Sequence, residues 1–325
     1  MAALDPAVAA TRGAVRAALA DLTAGDLVLA AVSGGPDSTA LAAALAFVAP
    51  RRRLRAGAVV VDHGLRPDSG ERAAEAAARC TAAGLDPVEL RRVTVGASGG
   101  PEAAARAARY AALDAAADAS GAAVVLLGHT RDDQAETVLL GLGRGSGARS
   151  LAGMAPVAGR YRRPFLGVDR SQTHAACAAL GLLVHDDPHN GDRAFARVRV
   201  RLDALPALQG ALGPGVGRAL ARTARLLRDD ADALDAVAAA EYLRVVGPDG
   251  ADVAELAALP RGVRTRVLRR LALLAGVPPG ALGSGHVDAL DALVTDWHGQ
   301  GPVALPRGWA GARHCGRLRV DEHVR

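Results

Sequence analysis

Lysine is missing from this chain, and all 39 of its basic residues are arginine. A Walker-type phosphate loop needs its lysine, and Schiff-base catalysis needs one too. Both chemistries are therefore excluded. Aromatic residues are few, with Trp 2, Tyr 3 and Phe 3 in 325 residues. The apolar half of the chain is mostly Ala, Val and Leu. Cysteine is scarce, and Cys80, Cys177 and Cys315 lie far apart with no CxxC pair. A zinc ribbon, a local iron–sulfur motif and a dithiol redox site are thus unsupported. An odd, sparse cysteine count suits a reducing cytoplasm. No charge-free apolar run reaches about 18 residues, so no membrane span is expected. The N-terminus carries Asp5 and lacks the basic-then-apolar pattern of a signal peptide.

Neither sign of charge dominates. The formal net charge is +5, from 39 basic and 34 acidic residues. The excess is spread over both parts of the chain, so no basic tail exists. This mild balance permits a nucleic-acid partner without arguing for one. Half the residues are apolar and 22% are charged, enough for a sizeable core and too apolar a composition for wholesale disorder. The length suits two ordinary domains.

The first two-thirds alternates apolar runs with helical patterns. Residues 27–32 (LVLAAV), 57–61 (GAVVV), 88–95 and 122–127 (AAVVLL) read as strands. Helices are expected over 38–48, 71–83, 101–119 and around 171–181. This alternation predicts an α/β fold, a doubly wound and mainly parallel sheet. Ligands of such sheets sit beyond the carboxyl ends of the strands. Ser33–Ser38, Asp62-His63 and His129–Glu136 fall there. Residues 209–217 cluster Gly and Pro and read as a linker. The expected division is 1–210 and 211–325, the second part smaller and mostly helical. It contains a long amphipathic helix over about 218–246 and a small strand pair within 302–320.

The strongest motif is Ser33-Gly34-Gly35-Pro36-Asp37-Ser38, between a strand and a helix. Adjacent glycines let the backbone turn tightly and present N–H groups. The helix start adds partial positive charge. Together they form a pyrophosphate cradle that needs no lysine, with Asp37 placed to hold Mg²⁺. A bare Ser-Gly-Gly would instead read as an ordinary capped turn. Asp132, Asp133 and Glu136 are spaced to share a helix face. Such carboxylates can bind an ammonium group or accept its proton; alternatively they decorate a solvated helix start. Arg106 and Arg109 fit bidentate phosphate contacts or a plain surface pair. His63 and His129, each after a strand, read as hydrogen-bonded structural residues when taken alone. Cys80 and Cys177 are expected in the core.

The SGGPDS string resembles the signature of the PP-loop (N-type ATP pyrophosphatase) family. Val61–Ser69 (VDHGLRPDS), Glu102–Tyr110 (EAAARAARY) and Gly128–Thr137 (GHTRDDQAET) resemble, in order, characteristic blocks of tRNA(Ile)-lysidine synthetases. Arg144–Gly147, Arg163–Leu166 and Asp186–Asn190 continue the resemblance over about residues 28–206. The family's RNxxR appears as Arg197-Val198-Arg199-Val200-Arg201, with Val198 in place of Asn. The resemblance implies an adenine-nucleotide hydrolase-like fold and an ATP-dependent ligase acting on the CAU-anticodon tRNA(Ile) and free L-lysine. It implies nucleotide binding by Ser33, Gly34, Gly35, Pro36, Asp37, Ser38, Asp62, His63 and His129, with Mg²⁺ at Asp37. It assigns catalysis to Asp37, Asp132, Asp133 and Glu136, and RNA contact to Arg106, Arg109, Arg144, Arg197 and Arg201. A homodimer is compatible with it, and the C-terminal part is expected to contact tRNA. A tRNA thiolase would be expected to use a cysteine pair, and an amidotransferase a further nucleophile domain; neither is legible.

Overall fold

The computed structural model describes residues 4–64, 68–94, 96, 101–145, 147–185 and 191–322. The expected Asp186–Asn190 segment, His189 included, lies outside these residues. The chain divides into two compact units, 1–227 and 228–325. The division falls within a 30-residue helix, rather than in the Gly/Pro-rich stretch before it.

The first unit starts with α1 (Pro6–Ala18) and then alternates β1 (Leu27–Val32), α2 (Pro36–Arg51), β2 (Arg55–Asp62), α3 (Ser69–Ala82), β3 (Val88–Arg92), α4 (Pro101–Ser120) and β4 (Val124–Leu126). Next come α5 (Arg131–Leu142), α6 (Ala148–Leu151), β5 (Val157–Ala158), β6 (Tyr161–Arg162) and α7 (Arg170–Ala179). The sheet order is β3-β2-β1-β4-β6-β5. All pairs are parallel except β5 with β6.

Alternation along β1 explains why both faces are covered. Val28, Ala30 and Val32 join one core with Leu41 and Leu45 of α2 and Cys80 of α3. Leu27 and Leu29 join another with Leu113, Ala116 and Ala117 of α4. The strands are apolar on both faces because helices lie on both. Cys177 also belongs to the first core. The chain leaves β1 toward β2 on one side, and β4 lies on the other. Their carboxyl ends therefore flank the point where strand order reverses, the usual ligand crevice.

Beyond α7, α8 (Ala196–Arg199), a π-helical segment (Val200–Ala204) and α9 (Leu205–Leu212) follow one another without a break. The expected linker is thus partly helical. The long helix is α10 (Val216–Val245). The second unit continues with β7 (Val246–Gly247), β8 (Gly250–Asp252), α11 (Val253–Ala258), α12 (Arg261–Ala275), α13 (Ser284–Thr295), β9 (Val303–Ala304), β10 (Trp309–His314) and β11 (Arg317–Glu322). The expected terminal strand pair is β10 and β11, but they belong to a five-stranded antiparallel sheet, β7-β8-β11-β10-β9. Strands of two or three residues carry no readable alternation, which is why the sequence shows only the pair. Leu268, Leu290, Leu293 and Leu318 anchor a core separate from that of the first unit. Buried Arg264 joins α12 to α13 by donating its Nε to Asp291 at 2.6 Å.

Candidate active site

The PP-loop follows β1. Gly34 sits at φ +82°, where a side chain would be strained, and a Cβ there would lie 3.3 Å from His185. The loop is stapled from within. Ser38 Oγ accepts from Ser33 N (3.1 Å) and donates to Gly35 O (3.0 Å). Pro36 opens α2 at a position needing no N–H. These bonds leave a preformed turn ahead of a helix start. His185 N donates to Gly34 O at 2.9 Å, which ties the chain beyond α7 to the turn.

The acidic block follows β4. Gly128 packs so closely on the start of α2 that a Cβ would lie 3.2 Å from the backbone carbon and oxygen of Asp37. A methyl group there forces the PP-loop aside, because backbone does not yield as a flexible side chain does. Gly128→Ala is expected to lower stability by about 1–3 kcal/mol. It should also slow the diphosphate release that the family resemblance implies by about tenfold or more, since small misplacements of reacting groups are costly. Thermal melting and a phosphate-detection assay check the two effects separately.

Thr130 caps α5. Its Oγ1 and N both donate to Asp133 Oδ2, at 2.9 and 2.8 Å. The other Asp133 oxygen accepts from Arg170 at 2.8 Å. Burial alone would raise this carboxyl, but Arg170 and the Thr130 N–H outweigh it and hold it below its ordinary value. Glu136, with no exposure, meets three guanidinium groups. Arg201 Nε donates to it at 2.7 Å, Arg170 at 3.3 Å, and Arg197 Nε lies 3.8 Å away. Asp132 accepts from the Arg170 backbone N at 2.7 Å. It also lines a polar cavity of about 220 Å³ with Asp169, Ser171 and Arg218. Arg197 and Arg201 approach from α8 and the π-helical segment; Val198 between them is buried.

Asp37 faces this group. Burial raises its carboxyl above the ordinary range; the Thr173 hydroxyl and Arg170 oppose the shift. Arg170 Nε is 3.7 Å from its Oδ2. Among the described residues, no three His, Cys, Asp or Glu side chains are grouped to hold a metal. The donor set therefore does not fit a protein-caged cation. A cation held mainly by phosphates needs only one or two carboxylates, and Asp37 offers one at the start of α2.

A basic group lies beside the carboxylates. His63 and His129 follow β2 and β4. Arg109 acts electrostatically on both histidines, and Arg106 and Arg163 on His129. The Nδ1 atoms of both histidines and the Nε atoms of Arg109 and Arg163 are buried without a hydrogen-bond partner among the described residues. Arg106 and Arg163 both donate to Tyr110 Oη, at 3.3 and 3.2 Å. Burial pushes the Arg109 guanidinium below its usual range. A guanidinium partly desolvated and short of hydrogen-bond acceptors, as at Arg109, favours a nearby anion. Asp62 is already engaged: Gly64 N donates to it at 2.9 Å and Arg92 Nε at 3.2 Å. Arg144 stands apart, exposed at the end of α5, with its Nε on Leu140 O.

Burial, followed by neighbouring arginines, lowers His129 to about 3, against the pull of Asp133. In the unfolded chain the imidazole titrates near 6.5. As pH falls below that value, the unfolded state takes up a proton that the folded state refuses, so stability falls with pH. His63 is shifted in the same direction. The unit should lose melting temperature between about pH 6.5 and 5, above the carboxylate range. His129→Asn is expected to flatten most of that slope in melts taken across the interval.

Sequence reasoning misses Arg170 and Thr173. One signal is available: Arg170 is the first residue of α7, where a cation opposes the helix dipole. An arginine there needs acidic partners from elsewhere in the fold.

A PP-loop domain model matches residues 11–208, and a TilS substrate binding domain model matches residues 252–319. A tRNA(Ile)-lysidine synthase of Thermobifida fusca is 62% identical over 317 residues, covering 97% of this chain and 98% of its own. One from Streptomyces coelicolor is 59% identical over 300 residues, covering 91% and 85%. One from Mycobacterium tuberculosis is 50% identical, covering 87% and 85%. A solved U34-tRNA thiolase from Methanococcus maripaludis superposes with a TM-score of 0.57 at 20% identity, covering 68% of this chain and 80% of that one. That likeness concerns the fold alone.

Proposed function

Because the chain belongs to the tRNA(Ile)-lysidine synthase family, we propose that it ligates free L-lysine to C2 of the wobble cytidine, position 34, of the CAU-anticodon tRNA(Ile). ATP is consumed, and AMP and diphosphate are released. The observation that carries this reading is the pairing of two opposite environments at one crevice. Near His129 lie carboxylates with matched guanidinium groups. Also acting on it are Arg109 and Arg163, whose Nε atoms are buried without a hydrogen-bond partner among the described residues. Asp132, which opens to the polar cavity, suits an amine, and the arginines suit a phosphate.

In the first step, cytidine O2 attacks the α-phosphorus of ATP and diphosphate leaves. The turn at Ser33–Ser38 and the start of α2 receive the departing phosphates. Mg²⁺, when bound at Asp37, supplies charge neutralisation on those phosphates. In the second step, the lysine side-chain amine attacks C2 and AMP leaves. Free lysine is protonated at neutral pH, with an ordinary value of about 10.4, so the amine must lose a proton first. In this reading Asp132, which lines the polar cavity, orients the amine and accepts that proton, with Asp133 and Glu136 holding the charges behind it. His129 stays neutral and does not repel the ammonium group. Arg106, Arg109 and Arg163 hold phosphate, and Arg197 and Arg201 fix Glu136. An anticodon loop presents its base without duplex melting.

The C-terminal unit is the tRNA-holding part in this reading, with residues 1–210 doing the chemistry. No helix of the described residues is long and apolar enough to cross a membrane. Cys80, Cys177 and Cys315 are unpaired, which suits a cytoplasmic enzyme. Assembly as a homodimer is the remaining expectation, and sedimentation velocity measures it.

The test is incorporation of labelled lysine into CAU-anticodon transcripts with ATP and Mg²⁺. Label in the isoleucine transcript, and none in the methionine transcript, is the expected result. AMP release with a different nucleophile would keep the PP-loop chemistry and overturn the lysidine reading.

A further inference from the structure

Helix α7 places Arg170, Thr173 and Cys177 on one face, at spacings of three and four residues. All three touch the opening turn of α2. Arg170 Nε is 3.7 Å from Asp37 Oδ2. Thr173 Oγ1 donates to Asp37 Oδ1. Cys177 Sγ donates to Pro36 O at 3.3 Å. Thr173 is fully buried, so its hydroxyl has no water to turn to. That hydroxyl also lies 2.7 Å from the Arg170 carbonyl. Its single proton serves one acceptor at a time, and an ionised carboxylate is the stronger.

Arg170 has a second set of partners on α5. It bonds Asp133 at 2.8 Å and Glu136 at 3.3 Å. Among the described residues, it is the side chain whose charge contacts carboxylates of both α2 and α5. A planar guanidinium fixes the separation and angle of the carboxylates it bridges; an ammonium group would not.

We propose that Arg170 and Thr173 are positioning residues that, from one face of α7, aim Asp37 into the crevice and set its distance from the carboxylates of α5. The inference rests on the reading of Asp37 as the carboxylate that serves the phosphates. Neither residue needs to touch substrate. Their effect passes through Asp37, and that makes the proposal separable from a general packing role.

The experiment is a double-mutant cycle in the full chain, using Thr173→Val, Thr173→Ser, Arg170→Lys and Asp37→Asn. Initial rates of diphosphate release give kcat and KM for ATP. Calorimetry with a non-hydrolysable ATP analogue gives affinity with and without Mg²⁺, and melting curves report folding. Thr173→Val is expected to lower kcat about tenfold, the loss typical of one hydrogen bond to a charged group, with KM changed by less than about twofold. Thr173→Ser should recover most of the rate, and Arg170→Lys should lose as much as Thr173→Val. On an Asp37→Asn background, Thr173→Val should cost little more, because its route is already removed. Wild-type kcat in Thr173→Val, or fully additive losses in the double variant, would overturn the positioning role. Full activity in Asp37→Asn alone would instead sink the reading of Asp37 on which it stands.

Discussion

Asp37→Asn is expected to cut diphosphate release by about 10²–10³, the usual cost of losing one preorganised electrostatic contact. Shape is nearly conserved, and the amide oxygen still accepts the Thr173 hydroxyl. What is lost is the charge. Burial holds the Asp37 carboxyl above its ordinary range even with Arg170 and Thr173 opposing, so the folded chain keeps that charge at a cost. Melting temperature should therefore hold or rise while the rate collapses. A parallel loss of stability and rate would mean that the residue serves the fold rather than the phosphates.

Glu136→Ala is expected to do the opposite and damage the fold first. Glu136 has no exposure and opposes Arg170, Arg197 and Arg201. Removing it leaves those guanidinium groups with Asp133, and for Arg170 also Asp37, as the remaining near partners. Breaking a buried ion pair from one side typically costs about 3–5 kcal/mol, a large share of the stability of an ordinary domain. Denaturant unfolding should show the midpoint shift. Glu136→Gln, which keeps the shape and some of the hydrogen bonds, should lose less. Wild-type stability in Glu136→Gln would mean that charge is not what Glu136 contributes.

The sheet is legible in the sequence because its strands are apolar on both faces. LVLAAV at 27–32 coincides with β1, and the helix expected over 101–119 is α4, Pro101–Ser120. The PP-loop and the acidic block are legible because each is contiguous in sequence and sits at a strand end. What joins them is not. Arg170 stands 34 to 37 residues from its side-chain partners on α5, and Thr173 stands 136 residues from Asp37. No local pattern encodes such pairings. The motif also conceals a division of labour. Asp133 is at once a helix cap and an ion-pair partner, while Asp132 borders the open cavity. The same three carboxylates, read as one face of a helix, give no basis for that distinction. A boundary near residue 210 follows from the clustering of Gly and Pro, but helix α9 runs to Leu212 and α10 begins at Val216. Gly and Pro there shape a short turn between helices.

The long reach of these contacts bears on how the molecule is made. Arg162 bonds Asp21 across 141 residues, and Arg201 bonds Glu136 across 65. A nascent chain emerging from the ribosome already carries the PP-loop once Ser38 is out, yet it has none of the side chains from α7 onward that complete the crevice. Contacts this distant in sequence slow folding, because the loops they close must be ordered before the contacts repay them. Until Arg201 has cleared the exit tunnel, Glu136 lacks the guanidinium that approaches it most closely, so the crevice is completed late in synthesis.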